Sequence, residues 1–259
     1  MQRTDTCSFS VNVLAPPRLS VIKFLAFGDS ITKGEDGSAG LSASSSRFHP
    51  SVLLPNAQTY PGVLQQDLVE RYTAQMPTVF NGGCQGEGLT GDDSPCGFSR
   101  ALGRFTSFTS TGLFPAVLIM EGTNDLYGQK DASNVGPALN GLRQMIGDAK
   151  SRGMRVYLAT IPPINPLGSR GRTFGSQLVP QINDGIRGLA SSTGATLVDV
   201  NQVFGDSFAL LGPDGLHPSA AGYVKIADAF FQAIKSTLET TETTSFGPVN
   251  FRRSFLRMR

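Results

Sequence analysis

The chain of 259 residues is long enough for one large domain or two small ones, and 39% apolar residues are ample for a buried core. A net charge of +2 argues against a polyanionic partner such as nucleic acid, and no apolar run of about 18 residues exists to span a membrane. Charged residues make up only 16% of the chain while Gly, Ser and Thr are plentiful, a surface that suits an exported protein. The N-terminus lacks the basic-then-apolar pattern of a secretory signal, so the protein is either cytosolic or cut downstream of its signal. An extracellular or periplasmic location is the expectation.

The first 19 residues differ in pattern from the rest of the chain. Residues 7–14 alternate apolar and polar in the manner of a single half-buried strand, and Ala15-Pro16-Pro17 stops it. From Val21 onward, near-continuous apolar runs recur at 21–27, 78–80, 116–120, 155–160 and 196–200, as strands buried on both faces of a parallel sheet require. Between them, Tyr60, Leu64, Leu68 and Tyr72 fall four apart, as do Leu178, Ile182 and Ile186, while Leu139, Leu142, Ile146 and Ala149 step by three or four. Those spacings predict amphipathic crossover helices, and a last helix over about 219–238 carries Tyr223, Ile226, Ala227, Phe230, Ile234 and Leu238 on one stripe. Five strands alternating with helices predict an α/β fold, a three-layer α/β/α sandwich with a five-stranded parallel sheet, over residues 20–239.

Two segments interrupt this rhythm. Residues 34–57 form a long Ser-, Gly- and Pro-rich connection of the kind that is usually functional or mobile. Residues 240–259 read as a Thr-rich linker and a basic tail, with Arg252, Arg253, Arg257 and Arg259; a solvated, disordered end is expected unless Phe246, Phe251 and Phe255 pack. Of three cysteines, Cys84 and Cys96 flank a Gly-rich loop and are the natural pair, though two unpaired thiols fit the sequence equally. Two distant histidines and scattered cysteines show no metal-ligand spacing, so neither a metal nor an organic cofactor is expected.

Chemistry that needs an imidazole base must choose between His49 and His217. Only His217 has a carboxylate three residues before it, Asp214, near enough to orient the ring. Ser30 directly follows the first predicted strand and stands at the C-terminal edge of the sheet, where open α/β folds bind ligands. Together these residues supply a nucleophile, a general base and an orienting group, which points to acyl transfer. The tetrahedral oxyanion of such a reaction needs fixed donors, for which the backbone N–H groups of Ser30 and Gly86 and the amide of Asn124 are candidates. Each residue also has a plainer role open to it. Asp29-Ser30 can be a helix cap and Asn124-Asp125 an Asx-turn; Asp29 and Asp125 are expected to brace loops, and His49 to be a loop residue. A second Gly-Asp-Ser at 205–207 is assigned to a surface turn. The sequence contains neither a Gly-x-Ser-x-Gly elbow nor a phosphate-cradling glycine loop.

Gly28-Asp29-Ser30, the stretch from Asn81 to Gly86, Gly122-Thr123-Asn124-Asp125, and Asp214-x-x-His217-Pro218 stand in that order at predicted strand ends. In these four blocks, over roughly residues 20–238, the chain resembles the SGNH hydrolases, or GDSL-type lipases and esterases. The resemblance implies a flavodoxin-like sheet, a triad of Ser30, His217 and Asp214, and an oxyanion hole of Ser30, Gly86 and Asn124. Glu87 departs from the small or aspartyl residue common after the second block's glycine, which leaves Gly83 as an alternative donor.

The function expected is hydrolysis of short- to medium-chain carboxylic esters through an acyl-enzyme. Carbohydrate deacetylation, a lysophospholipase activity and a noncatalytic glycan-binding module are the alternatives. Phe48, Leu53, Leu54 and Leu167 are candidates to line an acyl pocket. The substrate is a small-molecule or carbohydrate ester, and a monomer or weak dimer is expected. Residues 7–13 resemble the Cys-x-Phe-x-Val-x-Val end of an immunoglobulin-like hyaline-repeat module, and an ordinary extended arm explains them equally.

Overall fold

The computed structural model describes residues 5–9, 12–37, 52–91, 96–98, 100–126, 132–170, 173–205, 208–240, 243–245 and 249–253. At the N-terminus lie three short strands, β1 (Asp5–Phe9), β2 (Asn12–Leu14) and β3 (Arg18–Leu19). The central sheet comes next, with β4 (Lys23–Gly28), β5 (Thr78–Gly83), β6 (Ala116–Met120), β7 (Arg155–Ala159) and β8 (Thr196–Val198) all parallel in the order β5-β4-β6-β7-β8. Renumbered along the chain this is the 2-1-3-4-5 order of the flavodoxin-like fold. The helices are α1 (Ser30–Lys33), α2 (Tyr60–Arg71), α3 (Ala101–Thr109), α4 (Val135–Ser151), α5 (Thr173–Thr193), α6 (Val200–Phe204) and α7 (Ala220–Leu238).

Strand residues alternate between two cores, because successive side chains of a strand point to opposite faces. Phe24, Ala26, Leu118 and Met120 pack with Tyr60, Leu64 and Leu68 of α2 and with Tyr223, Ile226, Phe230 and Ile234 of α7. Leu25, Phe27, Val117 and Ile119 pack instead with Phe105 of α3, Leu142 and Ile146 of α4, and Ile182 and Ile186 of α5. All five residues of β6 are buried, as expected for the middle strand of a sheet covered on both faces. Each fully buried large apolar side chain contributes roughly 1.5–3 kcal/mol, so it is this double cover that holds the strand ends in place.

The predicted strands are present with shifted ends. β8 stops at Val198 rather than continuing to residue 200, because the Asp199 side chain accepts from Gln202 N–H at 3.2 Å and caps α6. The single strand expected over 7–14 is replaced by two, which pair antiparallel with different partners from the other end of the chain. β1 pairs with β11 (Val249–Arg253) and β2 with β10 (Thr243–Ser245), while β3 pairs with β9 (Glu239–Thr240). The tail is therefore strand-forming over 249–253; Phe246 and Phe255 lie outside the described residues. Among the described residues no helix is long and apolar enough to cross a membrane.

The chain leaves β4 for β5 on one side of it and returns for β6 on the other. The crevice between the carboxyl ends of β4 and β6 is thus the switch point, where folds of this kind accommodate ligands.

Candidate active site

At the end of β4, a Cβ on Gly28 would meet Thr32 Oγ1 at 2.0 Å and the Met120 carbonyl oxygen at 2.4 Å, so only glycine lets the strand turn into α1. Asp29 caps that helix, accepting from Ile31 N–H at 2.9 Å, which presents Ser30 as its first residue. Gly34, in the left-handed region at φ +95°, ends α1 after a single turn.

His217 reaches Ser30 from the opposite end of the chain. Asp214 Oδ1 accepts the N–H groups of Leu216 and His217, each at 2.9 Å, and closes a tight turn through Gly215 at φ +74°. Its other oxygen, Oδ2, lies 2.6 Å from His217 Nδ1, and His217 Nε2 lies 2.9 Å from Ser30 Oγ. These distances fit the tautomer in which Nδ1–H donates to Asp214 and Nε2 accepts from the serine hydroxyl. Ser30 keeps 6% of its surface exposed, against 2% for Asp214 and 1% for His217, so the hydroxyl is the member of the row most open to a ligand. Burial pushes the Asp214 carboxyl up, but the hydrogen bonds from the His217 ring and from two backbone N–H groups outweigh it and hold the group below the usual carboxylate range.

Two loops clamp the Asp214–His217 turn. On one side Asp214 N–H donates to the Gly37 carbonyl at 3.1 Å; on the other, Asn165 N–H donates to Gly215 at 2.8 Å and Arg170 N–H to Asp214 at 3.0 Å. A Cβ on Gly168 would lie 2.3 Å from the Asp214 carbonyl oxygen, so this approach requires glycine. The long connection after Ser30 is itself closed at its base, where Glu35 bridges Leu53 and Asp36 N–H donates to Val52. His49 and Phe48, inside that connection, lie outside the described residues. Of the apolar residues considered for an acyl pocket, Leu54 packs against the core and Leu167 is fully open to solvent.

Beyond β5 a Cys84–Cys96 disulfide ties down a loop, and Cys84 N–H donates to the Gly28 carbonyl at 2.9 Å. Gly86 takes φ +75°, a conformation that favours glycine. The N–H of Gly83 instead donates to Asn81 Oδ1 at 3.0 Å, and a Cβ there would meet Lys33 N at 2.1 Å. Gly83 is thus accounted for by packing against α1. The Asn124 amide donates to the Glu87 carbonyl at 2.8 Å, while Asp125 accepts from Leu89 and Thr90 N–H at 2.9 and 2.8 Å. Asp29 and Asp125 therefore brace local backbone, as expected. Gly205 ends α6; Asp206 and Ser207 of the second Gly-Asp-Ser lie outside the described residues.

Sequence reasoning missed three neighbours of this site. Arg104, on α3, pairs with the buried carboxylate of Glu87, donates to the Gly82 and Gly28 carbonyls at 2.6 and 3.2 Å, and lies over the Phe27 ring at 4.0 Å. One side chain thereby joins the ends of β4 and β5 to the disulfide loop. Glu121, at the end of β6, is fully buried, and neither of its oxygens has a hydrogen-bond partner among the described residues. Burial first, then the nearby carboxylates of Asp29, Glu87 and Asp125, push its carboxyl well above the usual range, with Arg104 opposing. The third is Glu35, whose side chain faces His217.

A hydroxyl held against an oriented imidazole at a sheet switch point has the geometry for nucleophilic attack on a carbonyl carbon, which defines a hydrolase or acyltransferase class. Comparison with known proteins narrows it: the GDSL-like Lipase/Acylhydrolase family matches over residues 26–225, and the chain belongs to that family of carboxylic ester hydrolases. A multidomain esterase from Ruminococcus flavefaciens is 25% identical over 240 residues, covering 87% of this chain. The match spans only 30% of that relative's length. Among solved structures, Est24, a carbohydrate acetylesterase from Sinorhizobium meliloti, superposes with a TM-score of 0.67 at 19% identity, covering 83% of this chain and 98% of its own. The aryl esterase of M. smegmatis gives 0.65 at 21% identity, with the same coverage. These likenesses support the fold: a five-stranded parallel α/β sandwich shared with GDSL-type esterases.

Proposed function

We propose that the protein hydrolyses short- to medium-chain carboxylic esters through a covalent acyl-enzyme on Ser30, with residues 20–239 as the catalytic unit. The observation that carries this reading is the continuous hydrogen-bond row from Ser30 Oγ through the His217 ring to Asp214, at 2.9 and 2.6 Å. His217 Nε2 takes the Ser30 proton as Oγ attacks the ester carbonyl, and Asp214 holds the ring and supports its positive form. The alcohol leaves with that proton. Water, deprotonated by the same nitrogen, then releases the acid and restores Ser30.

Charge on the tetrahedral oxygen is met by the N–H groups of Ser30 and Gly86 and by the Asn124 side chain. The Asn124 amide donates to the Glu87 carbonyl, which fixes the plane of the amide. Acidification that protonates His217 removes the base, so activity falls toward low pH.

Deacetylation of a carbohydrate is the second reading. It is favoured by the likeness to Est24, a carbohydrate acetylesterase, and by the Ser-rich connection next to the nucleophile. The Cys84–Cys96 bond further supports action in an oxidising compartment outside the cytoplasm.

The test is labelling with an organophosphonate, alongside p-nitrophenyl ester chain-length profiling and acetyl release from acetylated xylan. Stoichiometric label on Ser30 with turnover of acetyl to butyryl esters is expected. Unchanged hydrolysis by Ser30→Ala would end the proposal.

A further inference from the structure

Glu35 stands outside the row of Ser30, His217 and Asp214, yet its backbone is tied into the site. Its own N–H donates to the Ser30 carbonyl at 2.9 Å, its carbonyl accepts the Tyr223 hydroxyl at 2.7 Å, and its backbone bridges Leu53. The carboxylate is buried. Oε1 lies 2.7 Å from the Arg170 guanidinium, while Oε2 lies 3.3 Å from Gln85 Nε2 and 3.4 Å from His217 Nε2. The nitrogen that exchanges the proton with Ser30 therefore faces two oxygens, Ser30 Oγ at 2.9 Å and Glu35 Oε2.

We propose that Glu35 is a positioning residue for His217, a second carboxylate that favours the ring when Nε2 carries the proton, and that Arg170 tempers it. This deepens the ester-hydrolase reading and takes from it the role of His217 as base. While Nε2 holds a lone pair, it has no hydrogen to offer the carboxylate oxygen opposite it, and the two are weakly repelled. Once the Ser30 proton has moved to Nε2, the N–H lies between Oγ and Oε2, and the carboxylate attracts it. Glu35 takes up no proton; the proton still passes from Oγ to Nε2 and on to the departing alcohol. Only an interaction stronger in the transition state than in the ground state raises the rate, and this one meets that condition.

Arg170 sets how strong the pull is. Its guanidinium binds Glu35 and also lies 3.8 Å from Asp214 Oδ2, so one cation bridges the two carboxylates that flank the ring. Among the described residues, the ionisable groups around the network include Asp29 at the cap of α1, Asp36 in the following segment and the Tyr223 phenol of α7. The phenol stays uncharged at neutral pH, because burial and then those carboxylates, with Glu35 and Asp214, raise it well above its usual range.

The chain has two histidines, so ring-proton NMR resolves the protonation of His217 directly, with His49→Gln providing the assignment. Replacing Glu35 by Gln removes the attracting charge. The pH at which His217 becomes protonated is expected to fall by about one unit, and the acid limb of kcat/KM for p-nitrophenyl acetate with it; plateau kcat falls roughly tenfold. Arg170→Gln leaves both carboxylates unopposed and is expected to move the same midpoint up by about half a unit. Each substitution breaks the same ion pair, so a purely structural role for the bridge would move both variants in one direction. Opposite shifts support the proposal; shifts of one sign, or no shift in Glu35→Gln, overturn it. The NMR midpoint needs no turnover, so loss of the ester-hydrolase reading, seen as Ser30-independent hydrolysis, is distinguishable from loss of this one.

Discussion

The two walls of the crevice are built on different principles. On the wall that carries Ser30, His217 and Asp214, the side chains themselves touch where a proton would move, and backbone loops hold them, as where Asp214 N–H meets Gly37 and Arg170 N–H meets Asp214. On the opposite wall the order is reversed. There, the backbone around Gly86 and the Asn124 amide, the donors we propose for the oxyanion, are held by buried side chains such as Arg104, Glu87 and Asp125. Charge at the first wall can respond to protonation, whereas charge at the second is locked into ion pairs and caps. Substitutions on the first wall should therefore cost chemistry with the fold intact, and substitutions behind the second should cost stability before chemistry.

The largest effects belong to the first wall. His217→Ala is expected to lower kcat by about 10⁶-fold, and Asp214→Asn by about 10⁴-fold through the wrong tautomer, both with a thermal melt lowered by a few degrees at most. Single-turnover release of p-nitrophenol measures them. A melt lowered by many degrees in either variant would erase the contrast between the walls.

Behind the second wall, Arg104→Met leaves the Glu87 carboxylate buried without its cation, a change that typically costs about 3–5 kcal/mol. Urea denaturation of purified variant and wild type checks it. At the face of that wall, Asn124→Ala is expected to lower kcat by about 10²- to 10³-fold, since the proposed oxyanion hole loses one donor, with a smaller loss of stability than Arg104→Met. Should Asn124→Ala prove the less stable of the two, the division between face and support would fail.

The same division explains how much could be read from the sequence. Strand ends and turns have local signatures: Gly28-Asp29-Ser30 after an apolar run, Asp214-Gly215 before His217, and Gly86 in a Gly-rich stretch. The sheet is legible from such short-range pattern, and the row of Ser30, His217 and Asp214 from these signatures together with the family resemblance that they carry. Supporting side chains have none. Arg104 interrupts the apolar stripe of α3, between Ala101 and Phe105, so neither the helix nor the burial of this arginine is legible in the sequence. Asn183 reads as a solvent residue between Ile182 and Asp184, yet it is buried and its amide bonds both N–H and C=O of Ile161, at 2.9 and 3.0 Å. Glu35, five residues after Ser30 in a polar loop, shows its role only once the far end of the chain brings His217 to it. The pairing of β1 with β11 is equally nonlocal; alternation marks a strand but not its partner.

Glu121 gives the smallest and most conditional prediction, because it belongs to neither wall's logic: it is a buried carboxyl whose oxygens have no hydrogen-bond partner among the described residues. Burial and neighbouring carboxylates raise it in the folded protein, so the native state keeps this proton at pH values where the unfolded chain has lost it. Stability from this group is therefore fully present below the unfolded carboxyl's titration, near about pH 4, and drains away as pH rises toward the raised native value. Glu121→Gln cannot titrate and escapes that loss. The variant's Tm relative to wild type is expected to increase from about pH 4 to about pH 8, by a few degrees at most, with kcat little changed. Paired calorimetric scans across that range decide it. A difference that stays flat would mean that Glu121 is ionised in the native state, held there by Arg104 against three neighbouring carboxylates, and the supporting wall would then carry one more negative charge than its geometry indicates.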